Sequence, residues 1–230
     1  FAALFPQFSD AQSIADYQSS RNSSEERDAQ QRREEADRVG WLLGVTMVVE
    51  TIPARGGGVA AVLAGDPRSV ARESGAWCEQ IWGLRVHQKA NLVVSGIGGG
   101  AEEQTWENVV RALHAAARVS DDLQTAIVIC SELEQEPGPL LRSSAEAQES
   151  DGYSGATLRA ESKEAAQAHE LRQALERGPV YFMGRLPEST VEDMGMAPLA
   201  SFDELHRLIS RSGTCLVIND GQHAVPMLSE

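Results

Sequence analysis

Along this chain the apolar residues fall into two recurring arrangements. In Asn91–Ser95, Thr125–Cys130, Val180–Met183 and Thr214–Asn219 they run consecutively. That is the pattern of strands covered on both faces, since successive side chains point to opposite sides and both sides must be apolar. Between these runs the apolar residues recur every three or four positions. Trp106, Val109, Val110, Leu113, Ala116 and Ala117 mark one face of a helix. Further helices are predicted over Glu164–Arg177, stopped by Gly178-Pro179, over Pro187–Met194, and over Phe202–Ser212 with Ser201 as its cap. From Asn91 onwards strands alternate with helices, which predicts a mostly parallel sheet with helices on both faces.

The earlier stretch reads differently. Phe1–Tyr17 is a loop followed by a short helix, and Ser24 would cap a charged helix over Glu25–Val39. In that helix Glu25 and Glu26 come early and Arg32, Arg33 and Arg38 late, the distribution that the helix dipole favours. Trp41–Thr51 is rich in strand formers and ends near Pro53. The turn Arg55-Gly56-Gly57-Gly58 then leads into Val59–Gly65, giving an antiparallel hairpin. Asp66 caps and Pro67 opens a helix over Arg68–Trp82, and Leu84–His87 is a short extended piece. Leu140–Ser162, poor in aliphatics, reads as a mobile or partly helical surface segment. The whole is an α/β chain. A helix and β-hairpin lie within residues 1–88, and residues 89–230 carry the sheet as an α/β domain.

The candidate site lies where the first buried run breaks, at Gly96-Ile97-Gly98-Gly99-Gly100. Glycine permits tight turns and close approach by another group. The loop sits at the carboxyl end of a strand, where open α/β sheets bind ligands. Glu102 and Glu103 fall near the start of the following helix, where carboxylates favour the dipole. Together with Ala101 the loop is a loose match to GxGxxG/A, the pattern that seats a dinucleotide pyrophosphate on a helix N-terminus. Glu102 and Glu103 would repel those phosphates. The ribose-binding acid expected about 20 residues on would be Asp121 or Asp122, before the next strand rather than at its end. A nucleotide site, a purely structural turn and a different small-molecule site all remain open on these residues.

Charge and chemistry narrow the field. Acidic residues outnumber basic ones 34 to 20, a net −14, and no basic patch offsets it, so nucleic acid is not an expected partner. No apolar run approaches the roughly 20 residues of a membrane-spanning helix. Cys78, Cys130 and Cys215 form neither a disulfide framework nor a CxxC pair. Cys130 and Cys215 lie in apolar runs and read as buried, inert thiols, in keeping with a cytoplasmic protein. His87, His114, His169, His206 and His223 show no metal-ligand spacing, so no metal site is read from them. No GxSxG elbow is present. The chain opens on Phe1 without a signal pattern, so it is expected to be a fragment whose start lies upstream.

In order along the chain, several segments resemble the C-terminal half of the lactate racemase family, which uses a nickel-pincer nucleotide. They are Phe5-Pro6 followed by Ser13-Ile14, the hairpin ending Ala64-Gly65-Asp66, the strand and loop Asn91–Gly100, Gly184 to Leu199, and Val217–Leu228. The resemblance implies two α/β domains with the active site in the cleft between them, the helix and β-hairpin of residues 1–88 belonging to an incomplete N-terminal domain and residues 89–230 being the C-terminal α/β domain. There a hydride is taken from a small 2-hydroxy acid and returned to either face, for racemisation or epimerisation. It places the paired acid–base histidines and the cofactor-bearing lysine in the N-terminal domain, so the fragment alone is expected to be inactive. It assigns a cleft-facing glutamine and lysine to the helix after the Gly-Gly loop, and the matching positions are Asn108 and Arg111. Amide and cation are both retained, and Arg111 could hold a carboxylate bidentately. Gly98, Gly99 and Gly100 would face the substrate. The family's nickel-binding histidine falls near Tyr17 or Gln18, and its cleft tryptophan near Ala166–Ala168, so both are replaced. A catalytically degenerate binding protein is therefore the alternative, with a nucleotide-binding α/β domain as a further one.

Overall fold

The computed structural model describes residues 34, 37–121, 125–142 and 162–228. The expectations for Phe1–Tyr17, Ser24 and most of Glu25–Val39, Asp122 and most of Leu140–Ser162 lie outside them. The described chain divides into two compact units between Cys78 and Glu79.

In the first unit, residues 37–42 are helical, so Trp41 and Leu42 end a helix rather than begin a strand. Gly44 decides this. At φ +70° it adopts the left-handed geometry that closes a helix. Its N–H donates to Trp41 O at 3.0 Å, and the Val45 N–H reaches back to Gly40 O at 3.0 Å. Strand β1 therefore starts only at Val48 and covers Val48–Pro53. It pairs antiparallel with β2, Val59–Gly65, as the hairpin pattern predicted. Helix α1, Pro67–Trp82, follows and crosses the division between the units. Asp66 Oδ1 accepts from the Arg68 and Ser69 N–H groups at 3.1 Å each, satisfying amides that the first helical turn leaves free.

The second unit holds a five-stranded parallel sheet. Its strands are β4 (Leu92–Gly96), β5 (Ala126–Ser131), β6 (Val180–Gly184), β7 (Ala197–Pro198) and β8 (Cys215–Ile218), in spatial order β7-β6-β5-β4-β8. A separate parallel pair joins β3, Gly83–Val86, to β9, Val225–Leu228. The helices are α2 (Trp106–Arg118), α3 (Pro139–Arg142), α4 (Ser162–Arg177), α5 (Glu188–Asp193) and α6 (Phe202–Arg211).

Alternation along the strands sorts the core into two layers. Val93, Ile127, Ile129, Val180 and Phe182 face Val109, Leu113 and Ala116 of α2, Leu171 and Ala174 of α4, and Val191 of α5. Leu92, Val94 and Val128 face the opposite way, onto Leu205, Leu208 and Ile209 of α6. This is an α/β fold with a mostly parallel sheet covered on both faces. Cys215 departs from expectation: it is exposed, and Cys130 is only partly buried. β8 is an edge strand on which Leu216 and Ile218 turn to the α2 side of the sheet, leaving Cys215 and Val217 on the other side outside the α6 layer. Partial burial pushes the Cys215 thiol up from its ordinary value, and does the same to Cys130.

Candidate functional site

The chain proceeds outward from β4 through β5 and β6 to β7, then returns to place β8 on the other side of β4. The strand order reverses between β4 and β8, and the carboxyl ends there define the crevice in which open α/β sheets hold ligands. Residues 97–100 leave β4 on one side of it, and residues 219–222 leave β8 on the other.

These two segments are stitched together. Gly221 N–H donates to Gly96 O at 2.9 Å, and Ile97 N–H donates to Cys130 O at 3.0 Å, continuing the sheet ladder past β4. The Gln222 carboxamide, 6% exposed, accepts from Gly98 N–H at 3.3 Å and donates to Gly98 O at 3.1 Å. An added Cβ on Gly98 would overlap the Asp220 carboxylate, so any larger residue there requires that side chain to move. Asp220 itself sits at φ +52°, a left-handed conformation that aspartate tolerates better than most residues. Beneath the turn, Ser95 Oγ is fully buried and has no hydrogen-bond partner, and a Cβ on Gly221 would overlap it.

The other side of the loop is acidic. Gly99 takes φ +88° with the Glu103 side chain against it, and Gly100 lies beneath the Glu102 carboxylate. Glu102 and Glu103 do not begin α2: they form a separate 3₁₀ turn, Ala101–Glu103. The helix starts after Thr105, whose hydroxyl oxygen accepts from Asn108 N–H at 3.3 Å, and Glu107 is the acid in its first turn. Gln104 Oε1 ties the turn to the end of β5, accepting from Ser131 Oγ at 2.8 Å and Glu132 N–H at 2.9 Å. Trp106 Nε1 donates to Gln135 O at 2.9 Å, fixing the loop after β5.

Asn108 is 7% exposed, and its amide nitrogen donates to Glu103 O and Glu103 Oε2, both at 2.8 Å. Arg111 is exposed and pairs with Glu107 Oε1 at 2.5 Å across one helical turn. Asn108 and the glycines thus meet at one end of the sheet, whereas Arg111 is turned to its own helix surface. Asp121 precedes β5 and lies by Asn91 at the amino end of β4, with Asn91 Nδ2 to Asp121 Oδ2 at 3.4 Å. It is at the opposite end of the sheet from the glycine loop. His114, on α2, bonds Glu170 Oε2 at 3.0 Å, the partnered state expected of a helical histidine. The residues that sequence reasoning missed are Gln222 and Asp220. Gln222 meets Gly98 across 124 residues of sequence, so nothing local to either residue signals the contact.

Among the described residues no group of three or more His, Cys, Asp or Glu converges as a metal site. Tyr17 and Gln18, near the position the resemblance implies for a nickel ligand, lie outside those residues, and within Ala166–Ala168, near its implied tryptophan position, Ala168 is packed into the core. The described residues therefore do not fit a nickel group by themselves. No described helix is long and apolar enough to cross a membrane.

This arrangement defines a doubly wound α/β unit with a glycine loop at its switch point. Its fold matches that of lactate racemase apoprotein from Thermoanaerobacterium thermosaccharolyticum, with TM-score 0.65 and 16% identity over 83% of this chain and 48% of that one. A crystal structure of a protein from Thermotoga maritima matches with TM-score 0.53 and 12% identity, covering 88% of this chain and 54% of that one. The chain spans about half the length of each. No protein-family model matches it, and no curated protein matches it by sequence. The expected resemblance to lactate racemase is met at the level of fold.

Proposed function

We propose that this chain is the C-terminal portion of a lactate-racemase-like protein, with its glycine loop forming one wall of a cleft that receives a small 2-hydroxy acid. The observation that carries this reading is the fold match to the racemase over 83% of the chain, with the glycine loop at the sheet's switch point. In it, residues 1–88 are the end of an N-terminal domain. The whole protein racemises or epimerises its substrate by hydride transfer in the cytoplasm. Arg111 exchanges its exposed partner Glu107 for the substrate carboxylate, while Asn108 and Gly98–Gly100 shape the wall. A surface ion pair of this kind contributes at most about 1 kcal/mol, so a ligand carboxylate can displace it.

A second reading has its own support. Both inherited polar positions are already satisfied within the chain, Asn108 by Glu103 and Arg111 by Glu107. That suits a family member that binds without catalysing.

The test uses the full-length protein co-expressed with enzymes that make the pincer nucleotide. Under the first reading D- and L-lactate or a related 2-hydroxy acid interconvert, nickel is near-stoichiometric, and Arg111→Ala weakens substrate use by roughly 10–100-fold, the loss of a charged hydrogen bond. A metal-free, inert protein that still binds 2-hydroxy acids establishes the second. Failure to bind any 2-hydroxy acid removes both.

A further inference from the structure

We propose that Gln222 is the positioning residue of the glycine loop, clamping the Gly98 peptide so that Gly99 and Gly100 are presented to the ligand in one orientation. The inference rests on the function proposed above only for the identity of that ligand. A carboxamide is the side chain that offers a donor and an acceptor side by side. Here both are used on one residue, whose N–H and C=O belong to successive peptide units: Gly98 N–H donates to Oε1 at 3.3 Å and Nε2 donates to Gly98 O at 3.1 Å. The pair imitates a neighbouring strand at the point where the ladder between β4 and β8 ends.

The surroundings hold the clamp in register. On one side, Gly221 N–H is bonded to Gly96 O at 2.9 Å, and Asp220 occupies the space above Gly98. On the other, His223 follows directly, its N–H bonded to Asp220 O at 2.9 Å and its ring tilted against buried Trp82 with centroids 4.7 Å apart. Gln222 is itself buried, so breaking either bond leaves its own carboxamide short of a partner away from water. With both polar groups of Gly98 engaged, the direction in which the chain leaves it is fixed, and Gly99 at φ +88° continues from that point.

The discriminating variant is Gln222→Glu, which keeps the shape. Protonated, its carboxyl group donates to Gly98 O and accepts from Gly98 N–H, as the amide does. Ionised, it has no donor. Burial beside Asp220 disfavours the ionised form, so its pKa is raised above the usual carboxylate range. In the full chain the Gly98 amide resonance of the variant is expected to match that of wild type at the acid end and to diverge from it, at the same pH, as pH rises. Gln222→Leu is expected to show the departed state at every pH and to weaken D- and L-lactate binding about tenfold, ~1.4 kcal/mol. In Gln222→Glu that affinity is expected to follow the same pH curve as the Gly98 amide. A Gly98 resonance indifferent to pH in a folded Gln222→Glu protein overturns the clamp, since a space-filling role would be blind to the proton. If Gly98 tracks the proton but wild type binds no 2-hydroxy acid, the clamp stands and the proposed function falls.

Discussion

The β1–β2 hairpin and the five-stranded sheet are both built from valine-bearing segments, yet they treat those valines in opposite ways. In the hairpin Val49 and Val62 are 60% and 62% exposed, whereas in the sheet Val93 and Val128 are fully buried. The hairpin alternates along its register, with Ile52 turned inward and Val49, Thr51 and Val62 outward. Each central strand of the sheet is instead met from above and below, by α2, α4 and α5 on one side and α6 on the other. Strand propensity alone therefore says little about stability; a second covered face does. Ligand-binding loops gain from standing on such a scaffold, and the glycine loop emerges from the strand buried on both faces rather than from the hairpin.

Truncation should separate the two regions most widely. Phe182→Ala removes a ring that is buried between β6 and the α2 layer, at an expected cost of about 4 kcal/mol. Val62→Ala, on the exposed side of the hairpin, should change stability by less than about 0.5 kcal/mol. Denaturant unfolding of both variants checks the contrast, and comparable losses would mean that the outer hairpin face is covered in solution.

A subtler contrast lies within the sheet unit. Gly221→Ala forces a methyl group onto Ser95 Oγ and against Ala112, an overpacking worth about 2 kcal/mol. Ser95→Ala alone removes a buried hydroxyl that has no partner, so it should be neutral or stabilising by up to ~1 kcal/mol. The double variant should recover most of the Gly221→Ala loss, because the two sites share one space. Strict additivity in that cycle would place the strain of Gly221→Ala elsewhere, in the turn rather than over Ser95.

How much of this was legible follows the same division. The consecutive apolar runs of β4, β5 and β6 announced strands covered on both faces, whereas the similar run of β8 lies at an edge with Cys215 and Val217 exposed. The helix over Trp106–Arg118 was legible from its spacing, but its start was not. Glu102 and Glu103 resemble first-turn acids, and only the competition with Thr105, a better cap, moves the start to Trp106. Trp41-Leu42 was misread because a short apolar run fits helix or strand alike, and the deciding signal was the single left-handed Gly44. The extended piece Leu84–His87 foreshadowed β3, but its pairing with β9 was not legible, since each strand has four residues and β9 contains Pro226. At the site, the glycines were visible and the clamp was not, since nothing local to Gln222 points to Gly98. The exposed thiol of Cys215 was likewise hidden, because an edge strand and a central strand have the same composition.

Helix caps give a smaller test. Asp66→Ala removes the acceptor of two amide bonds at the start of α1 and should cost about 1 kcal/mol. Asp66→Asn should recover most of it, since the bonds need an oxygen more than a charge. Thermal unfolding of the two variants separates capping from electrostatics; equal losses would mean that the carboxylate charge carries the effect.

The smallest expected effect concerns Arg111. Its partner Glu107 lies one turn earlier, and the two side chains are 55% and 36% exposed. A pair of this geometry contributes about 0.3–0.5 kcal/mol and weakens with salt. Glu107→Gln also removes first-turn charge from the helix dipole, so the single variant overstates the pair. A cycle of Glu107→Gln and Arg111→Gln, measured at low and high salt, isolates the coupling. A coupling below about 0.5 kcal/mol that fades with salt leaves Arg111 available to a ligand carboxylate, as its proposed role requires. A salt-insensitive coupling above about 1.5 kcal/mol would make Arg111 a structural residue of α2. The binding wall would then consist of the glycine loop and Asn108 without a cation, a poor surface for a 2-hydroxy acid.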